Sequence, residues 1–186
     1  MTSMSDTAIM EKDNYLRSCP MTEDISALIT KLGNKDGLIR EAARLSLVDI
    51  GQPAVRSLTK LLSDKREQVR WEAINALSQI SDPSSAHALV KCLEDKVFEI
   101  RWMAAEGLVK IGVEGLVPAL KAILLTPKPD WLWDGVRHIV HDLAREDLEE
   151  LLLPLKAAFD DVDYHIKVPI EARRALDKMG ILPGEN

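Results

Sequence analysis

Val69-Arg70-Trp71-Glu72-Ala73-Ile74-Asn75-Ala76-Leu77, closed by Ile80-Ser81, is the stretch that decides the architecture, because it recurs along the chain. One copy opens at Ile39-Arg40-Glu41-Ala42-Ala43 and runs through Leu47 to Ile50-Gly51. Another opens at Ile100-Arg101-Trp102-Met103-Ala104 and runs through Leu108 to Ile111-Gly112. A weaker copy is Ile170-Glu171-Ala172-Arg173 through Leu176 to Met179-Gly180, and the weakest spans Arg137 to Leu143. The shared leucine falls at Leu47, Leu77, Leu108, Leu143 and Leu176, at intervals of 30, 31, 35 and 33 residues. A period of that size is the mark of a stacked-repeat protein.

A second apolar set lies between these copies, anchored on Leu28, Leu58, Leu89, Leu120 and Leu155. Apolar residues follow at +3 and +4, as in Leu61-Leu62, Cys92-Leu93 and Ile123-Leu124, and that spacing is helical. Each unit therefore reads as helix A, a short turn and helix B. Gly51, Gly112 and Gly180 follow the last apolar residue of B, where glycine, lacking a Cβ, suits a left-handed C-cap. Pro53 opens the next A helix. Ala43, Ala73, Ala104 and Ala172 share one slot in B, where a small side chain admits a neighbouring helix.

The 186 residues carry a net charge of −6, with 46% apolar and 29% charged residues. That composition supports a folded core and excludes wholesale disorder. The acidic balance disfavours a nucleic-acid partner. Cys19 and Cys92 make no disulfide framework, and neither a leader-like apolar stretch nor a membrane-length one is visible. A cytoplasmic, monomeric protein with no cofactor is expected.

The pattern resembles the HEAT-like repeats first recognised in phycobiliprotein lyases, over about residues 23–181. It is carried by the Asp-x5-Arg turns Asp64 to Arg70 and Asp95 to Arg101, the alanine-rich stretch and the closing Ile-Gly. The resemblance implies an all-α, right-handed solenoid of five helical hairpins, at about 23–51, 52–81, 82–112, 113–146 and 147–181. Residues 1–22 are expected to form a tail or partial cap, and residues 182–186 a C-terminal tail. It also implies a ladder of Asp64, Arg70, Asp95 and Arg101 between repeats, with Arg40 in the same structural role. Asn34 stands at the first aspartate position, and Val136 and Pro169 replace the arginine in the last two units, so the ladder should lapse there.

Departures from the repeat carry more functional information than the repeat itself. The first three units use 15 residues from the last apolar residue of A to the anchor leucine, the fourth 19 and the fifth 17. Four extra residues enter the turn Thr126-Pro127-Lys128-Pro129-Asp130-Trp131-Leu132-Trp133. Trp131 and Trp133 either extend a binding surface there or fill the gap made by the longer turn. Positions −6, −2 and +2 from the anchor leucine share a stripe of the B helices, expected on the concave face. It reads Glu41, Leu45, Asp49; Trp71, Asn75, Gln79; Trp102, Glu106, Lys110; Arg137, His141, Arg145; Ile170, Arg174, Lys178. Two aligned tryptophans beside Arg and Lys suit an acidic or phosphate-bearing segment of a partner. The competing view is that Trp71 and Trp102 pack between repeats.

Chemistry is less legible. Asp134, His138 and His141, followed by Asp142, have metal-compatible helical spacing, with His165, Asp160, Asp161 and Asp163 in the next hairpin. They are weak candidates, since that spacing is common by chance. The His-Glu dipeptides of HEAT-type deoxyhypusine hydroxylases are absent. No phosphate-binding glycine loop, dinucleotide fingerprint or nucleophile elbow is present. The leading expectation is a non-enzymatic scaffold or adaptor, its partner a protein held by Trp71, Trp102, Arg137, His141, Arg145, Arg174 and Lys178, with Trp131 and Trp133. The alternatives that the resemblance implies are a bilin- or metal-dependent HEAT-like enzyme, and a HEAT-like DNA glycosylase.

Overall fold

The computed structural model describes residues 24–126, 131–145 and 148–181. The two expected tails, and residues 127–130 of the long turn, lie outside the described residues. Among those described, ten α-helices form five successive hairpins and no strand occurs. The A helices are α1 (Ile25–Lys31), α3 (Gln52–Leu61), α5 (Ala86–Cys92), α7 (Val113–Leu125) and α9 (Glu149–Phe159). The B helices are α2 (Gly37–Ile50), α4 (Glu67–Ile80), α6 (Phe98–Ile111), α8 (Trp131–Leu143) and α10 (Tyr164–Lys178). A short 3-10 turn at Pro83–Ser85 precedes α5.

The turns repeat as faithfully as the helices. In four of them a side-chain oxygen accepts the backbone N–H two residues on: Asn34 from Asp36 (2.8 Å), Asp64 from Arg66 (2.8 Å), Asp95 from Val97 (2.9 Å) and Asp161 from Asp163 (2.9 Å). This local bond turns the chain out of helix A without another strand or helix to support it. Between hairpins, Gly51 (φ 70°) and Gly112 (φ 80°) are single-residue links, and positive φ is why glycine stands there.

Single hairpins cannot bury their own apolar stripe, so the core exists only by stacking. Leu47, Leu77 and Leu108 are fully buried, as are Leu28, Leu58, Leu89 and Leu120 on the A side. The buried alanines Ala43, Ala73 and Ala104 let α2, α4 and α6 approach side by side, and α8 continues the row against α6. The fifth hairpin departs from this order. Its B helix, α10, packs on α7, an A helix, while its A helix, α9, packs on α8. The two layers are exchanged at the last junction. The links between the helices of successive hairpins are one residue at Gly51 and Gly112 and five residues at 81–85 and 144–148, so link length alone does not set the register. Arg174 and Lys178, expected to extend the stripe beyond Arg145, therefore sit on a helix of the other layer.

The arginine ladder forms, with different rungs. Arg40, Arg70 and Arg101 each donate through Nη1 to the carbonyl six residues back, at Asn34, Asp64 and Asp95 (3.0, 3.0 and 2.8 Å). Among the described residues only Arg70 also reaches an aspartate of the next repeat, binding Asp95 through Nε and Nη2 (2.7 and 3.0 Å). Asp64 instead pairs with Arg66, whose guanidinium and backbone N–H hold its carboxyl at about 2. Arg40 binds the buried carboxylate of Glu72, which Arg44 and Gln68 also reach (3.0, 3.1 and 3.1 Å). Arg101 lies over the rings of Phe98 and Trp131, while Asp130, the aspartate aligned with Asp64 and Asp95, lies outside the described residues. Val136 is fully buried, so the ladder does lapse in the fourth repeat.

Burial alone would push the Asp95 carboxyl up, but hydrogen bonds from Arg70 and Val97 and the nearby positive charge outweigh it and hold it below the ordinary value. Asp95→Ala leaves a nearly buried guanidinium with one partner fewer and should cost about 2–4 kcal/mol at neutral pH. Because the folded carboxyl titrates below the usual value near 3.9, its contribution is complete above about pH 4 and is lost as pH falls through the folded pKa. Urea unfolding of both proteins between pH 3 and 7 checks this; the difference should shrink only at the acid end.

Candidate binding surface on the third and fourth repeats

Helix α6 opens with Phe98, and Trp102 follows one turn later on the same face. Their rings stack with centroids 6.3 Å apart and planes at 29°. Helix α8 brings His138 against the other side of Trp102, centroids 4.5 Å apart. On the opposite flank the Arg101 guanidinium lies 5.6 Å from the Phe98 centroid and 4.2 Å from that of Trp131, the first residue of α8. Trp131, Arg101, Phe98, Trp102 and His138 thus form one continuous row across two repeats. Phe98 is 61% exposed, Trp102 47% and Trp131 48%.

Polar groups edge the row beyond His138. Glu106, one turn after Trp102, has Oε1 2.8 Å from His138 Nε2, and Asp142 Oδ2 lies 3.8 Å from the same nitrogen. Arg145 donates to Asp142 at 3.3 Å. Arg137 is turned toward α9 and donates to Asp160 at 2.6 Å. His141 also faces Asp160, at 3.8 Å, and its Nε2 makes no hydrogen bond among the described residues. Burial pushes the His141 pKa down.

The stripe residues are therefore divided. Trp102, Arg137, His141 and Arg145 lie on neighbouring helices around one junction. Trp71 belongs to a different setting on α4, half-buried, with the Arg44 guanidinium 6.0 Å from its centroid. Arg174 on α10 pairs with Glu171 at 2.5 Å, and Lys178 is exposed on the same helix. Trp133 is a correction: it is only 2% exposed and cannot meet a partner. Its Nε1 donates to the Thr126 carbonyl (3.2 Å), and its ring meets Phe159 and Tyr164 edge-on (6.4 and 6.2 Å). Neither tryptophan lies in the long turn, since both belong to the first turn of α8.

The metal candidates regroup as well. Asp134 is exposed and His141 faces Asp160, so Asp134, His138 and His141 do not converge. His138 converges instead with Glu106 and Asp142. Phe98 was missed because it lies outside the stripe positions; its place four residues before Trp102 was the available signal. Cys92 is core, and burial pushes its thiol up to about 12, so it is no nucleophile at neutral pH.

Comparison with known proteins agrees with this architecture. Residues 55–136 match the family of HEAT repeats. The chain is similar in fold to a chain from the structure of the complex of CpcE and CpcF of phycocyanin lyase from Nostoc sp. PCC7120. That match has 22% identity and a TM-score of 0.56, and covers 81% of this chain and 96% of that one. A designed armadillo repeat protein in complex with the peptide (KR)4 matches with 20% identity and a TM-score of 0.42, covering 86% and 89%. No curated protein matches significantly in sequence. The described chain is an α-solenoid of stacked helical hairpins, with a HEAT-repeat match over residues 55–136. No helix among the described residues is long and apolar enough to cross a membrane.

Two tryptophans two residues apart in unlike surroundings, and a third one repeat away, give a sharp test. Trp133→Ala should destabilise the protein by about 3–5 kcal/mol, whereas Trp102→Ala should cost no more than about 1 kcal/mol. Equilibrium denaturation followed by circular dichroism measures both.

Proposed function

We propose that the chain is a binding module that holds a segment of a protein partner against the exposed row Trp131, Arg101, Phe98 and Trp102. The observation that carries this reading is the exposure of three large aromatic rings in one contact chain with an arginine. Each Å² of apolar surface that a partner covers gains about 25 cal/mol, and aromatic and arginine side chains dominate binding hot spots. The rings are already braced by one another and by Arg101 and His138, so little side-chain entropy is lost when a partner docks.

An acidic or phosphate-bearing segment is less well supported than an apolar one. Arg137, Arg145 and Arg174 each hold a carboxylate of this chain, so an anionic partner would compete with Asp160, Asp142 and Glu171. The anchor is therefore apolar, with the charged edge setting orientation. A chain from the complex of CpcE and CpcF shares this fold, and partner capture by this chain would be of the same general kind.

The test is affinity capture from an extract of the source cells, read by quantitative mass spectrometry. The baits are the wild type, a Phe98→Ser/Trp102→Ser variant and a control with Val162→Ser, an exposed residue of the fifth hairpin, all confirmed as folded. A protein retained by wild type and control but reduced more than tenfold with the double variant is the expected result. Equal recovery by all three would overturn the assignment of the surface.

A further inference from the structure

We propose that Glu106, His138 and Asp142 form a chelating site for a borderline divalent cation of the Zn²⁺ type, bridging the third and fourth repeats. The three side chains each offer one ligand atom, and those atoms lie within 4.8 Å of one another. His138 Nε2 is 2.8 Å from Glu106 Oε1 and 3.8 Å from Asp142 Oδ2. In a tetrahedral zinc site with bonds of about 2.0–2.1 Å, neighbouring ligand atoms stand about 3.3 Å apart. The two measured separations bracket that value, so side-chain adjustments of about half an ångström bring both pairs to it, with the Glu106–Asp142 edge closing further.

The site is built from elements that fix its parts separately. His138 and Asp142 are one turn apart on α8, the spacing that places two ligands on one helical face. Glu106 arrives from α6, one turn beyond Trp102, whose ring lies against the imidazole and limits its rotation. All three side chains are partly exposed, so an ion can enter and keep a water in the fourth position. Arg145 bonds to Asp142, but its side chain is largely exposed and can swing into solvent when a cation arrives. One imidazole with two carboxylates suits Zn²⁺, Co²⁺ or Ni²⁺ better than Mg²⁺, which favours carboxylates and water. In the 2.8 Å contact the His138 Nε2–H donates to Glu106; an ion binding at Nε2 displaces that proton to solvent while Nδ1 takes up the one imidazole proton, so Glu106 exchanges a hydrogen-bond donor for the metal.

The consequence reaches the aromatic row. A cation held by Glu106 and His138 would tie α6 to α8 and fix the ring against which Trp102 rests, coupling metal occupancy to the neighbouring surface.

Full-length protein without an affinity tag, titrated with Zn²⁺ by calorimetry, tests the assignment. One equivalent should bind with a saturable signal, and Zn²⁺ at 100 times Kd should raise the folding equilibrium constant about a hundredfold, seen as a higher Tm. His138→Gln and Glu106→Gln should each weaken binding at least tenfold, with helicity retained. An Asp134→Asn/His141→Gln variant should bind as the wild type does. Co²⁺ provides a second readout: its visible absorption should shift when His138→Gln removes the nitrogen ligand. Absence of a saturable equivalent, binding undiminished in both His138→Gln and Glu106→Gln, or loss confined to the Asp134/His141 variant would each overturn the proposal.

Discussion

A guanidinium withdrawn from water has to find acceptors in fixed directions, and three arginines in identical register impose that demand on successive hairpins. Arg40, Arg70 and Arg101 satisfy half of it in the same way, by closing onto the carbonyl six residues back. This bond gives the three turns a common shape, and a common turn gives the hairpins a common offset. The other half of the demand is met across the repeat boundary, and there the partners diverge. Arg40 finds Glu72, Arg70 finds Asp95, and Arg101 finds the ring of Trp131. The exposed aromatic row begins at that last arginine.

The fourth repeat has no arginine in that register, and Val136 is buried there. The contact between Glu106 and His138 joins α6 to α8 at the same junction. Where an ion pair would have tied two repeats together in the interior, a histidine and a carboxylate tie them together near the surface. That shift leaves polar atoms within reach of solvent.

The chain's repeats were legible because stacking requires the same few residues at every level. Leu47, Leu77 and Leu108 have to be apolar, the Ala43 slot has to be small, and Gly51 and Gly112 need positive φ. The candidate surface was only half legible, for three physical reasons. Trp131 and Trp133 were assigned together to a turn, but both are helical, and at about 100° per residue they point some 200° apart, one outward and one into the core. Glu106 meets His138 across 32 residues, a contact that no i, i+4 pattern within one helix can reveal. Arg174 and Lys178 were placed by extrapolating the period, and the extrapolation fails where the last hairpin exchanges layers. Local rules held within repeats and failed at the junction where the repeat itself is broken.

That exchange also bears on what the two ends of the described stack present. A solenoid is a one-dimensional crystal with one unit per lattice step, and open head-to-tail contacts between copies propagate into fibres unless something disrupts the lattice. Seating α10 on α7 and α9 on α8 inserts a stacking fault one unit before the end of the described helices. The A-type and B-type helices of the last described hairpin therefore stand in transposed positions relative to α1 and α2, so the described stack does not repeat one lattice step from first hairpin to last.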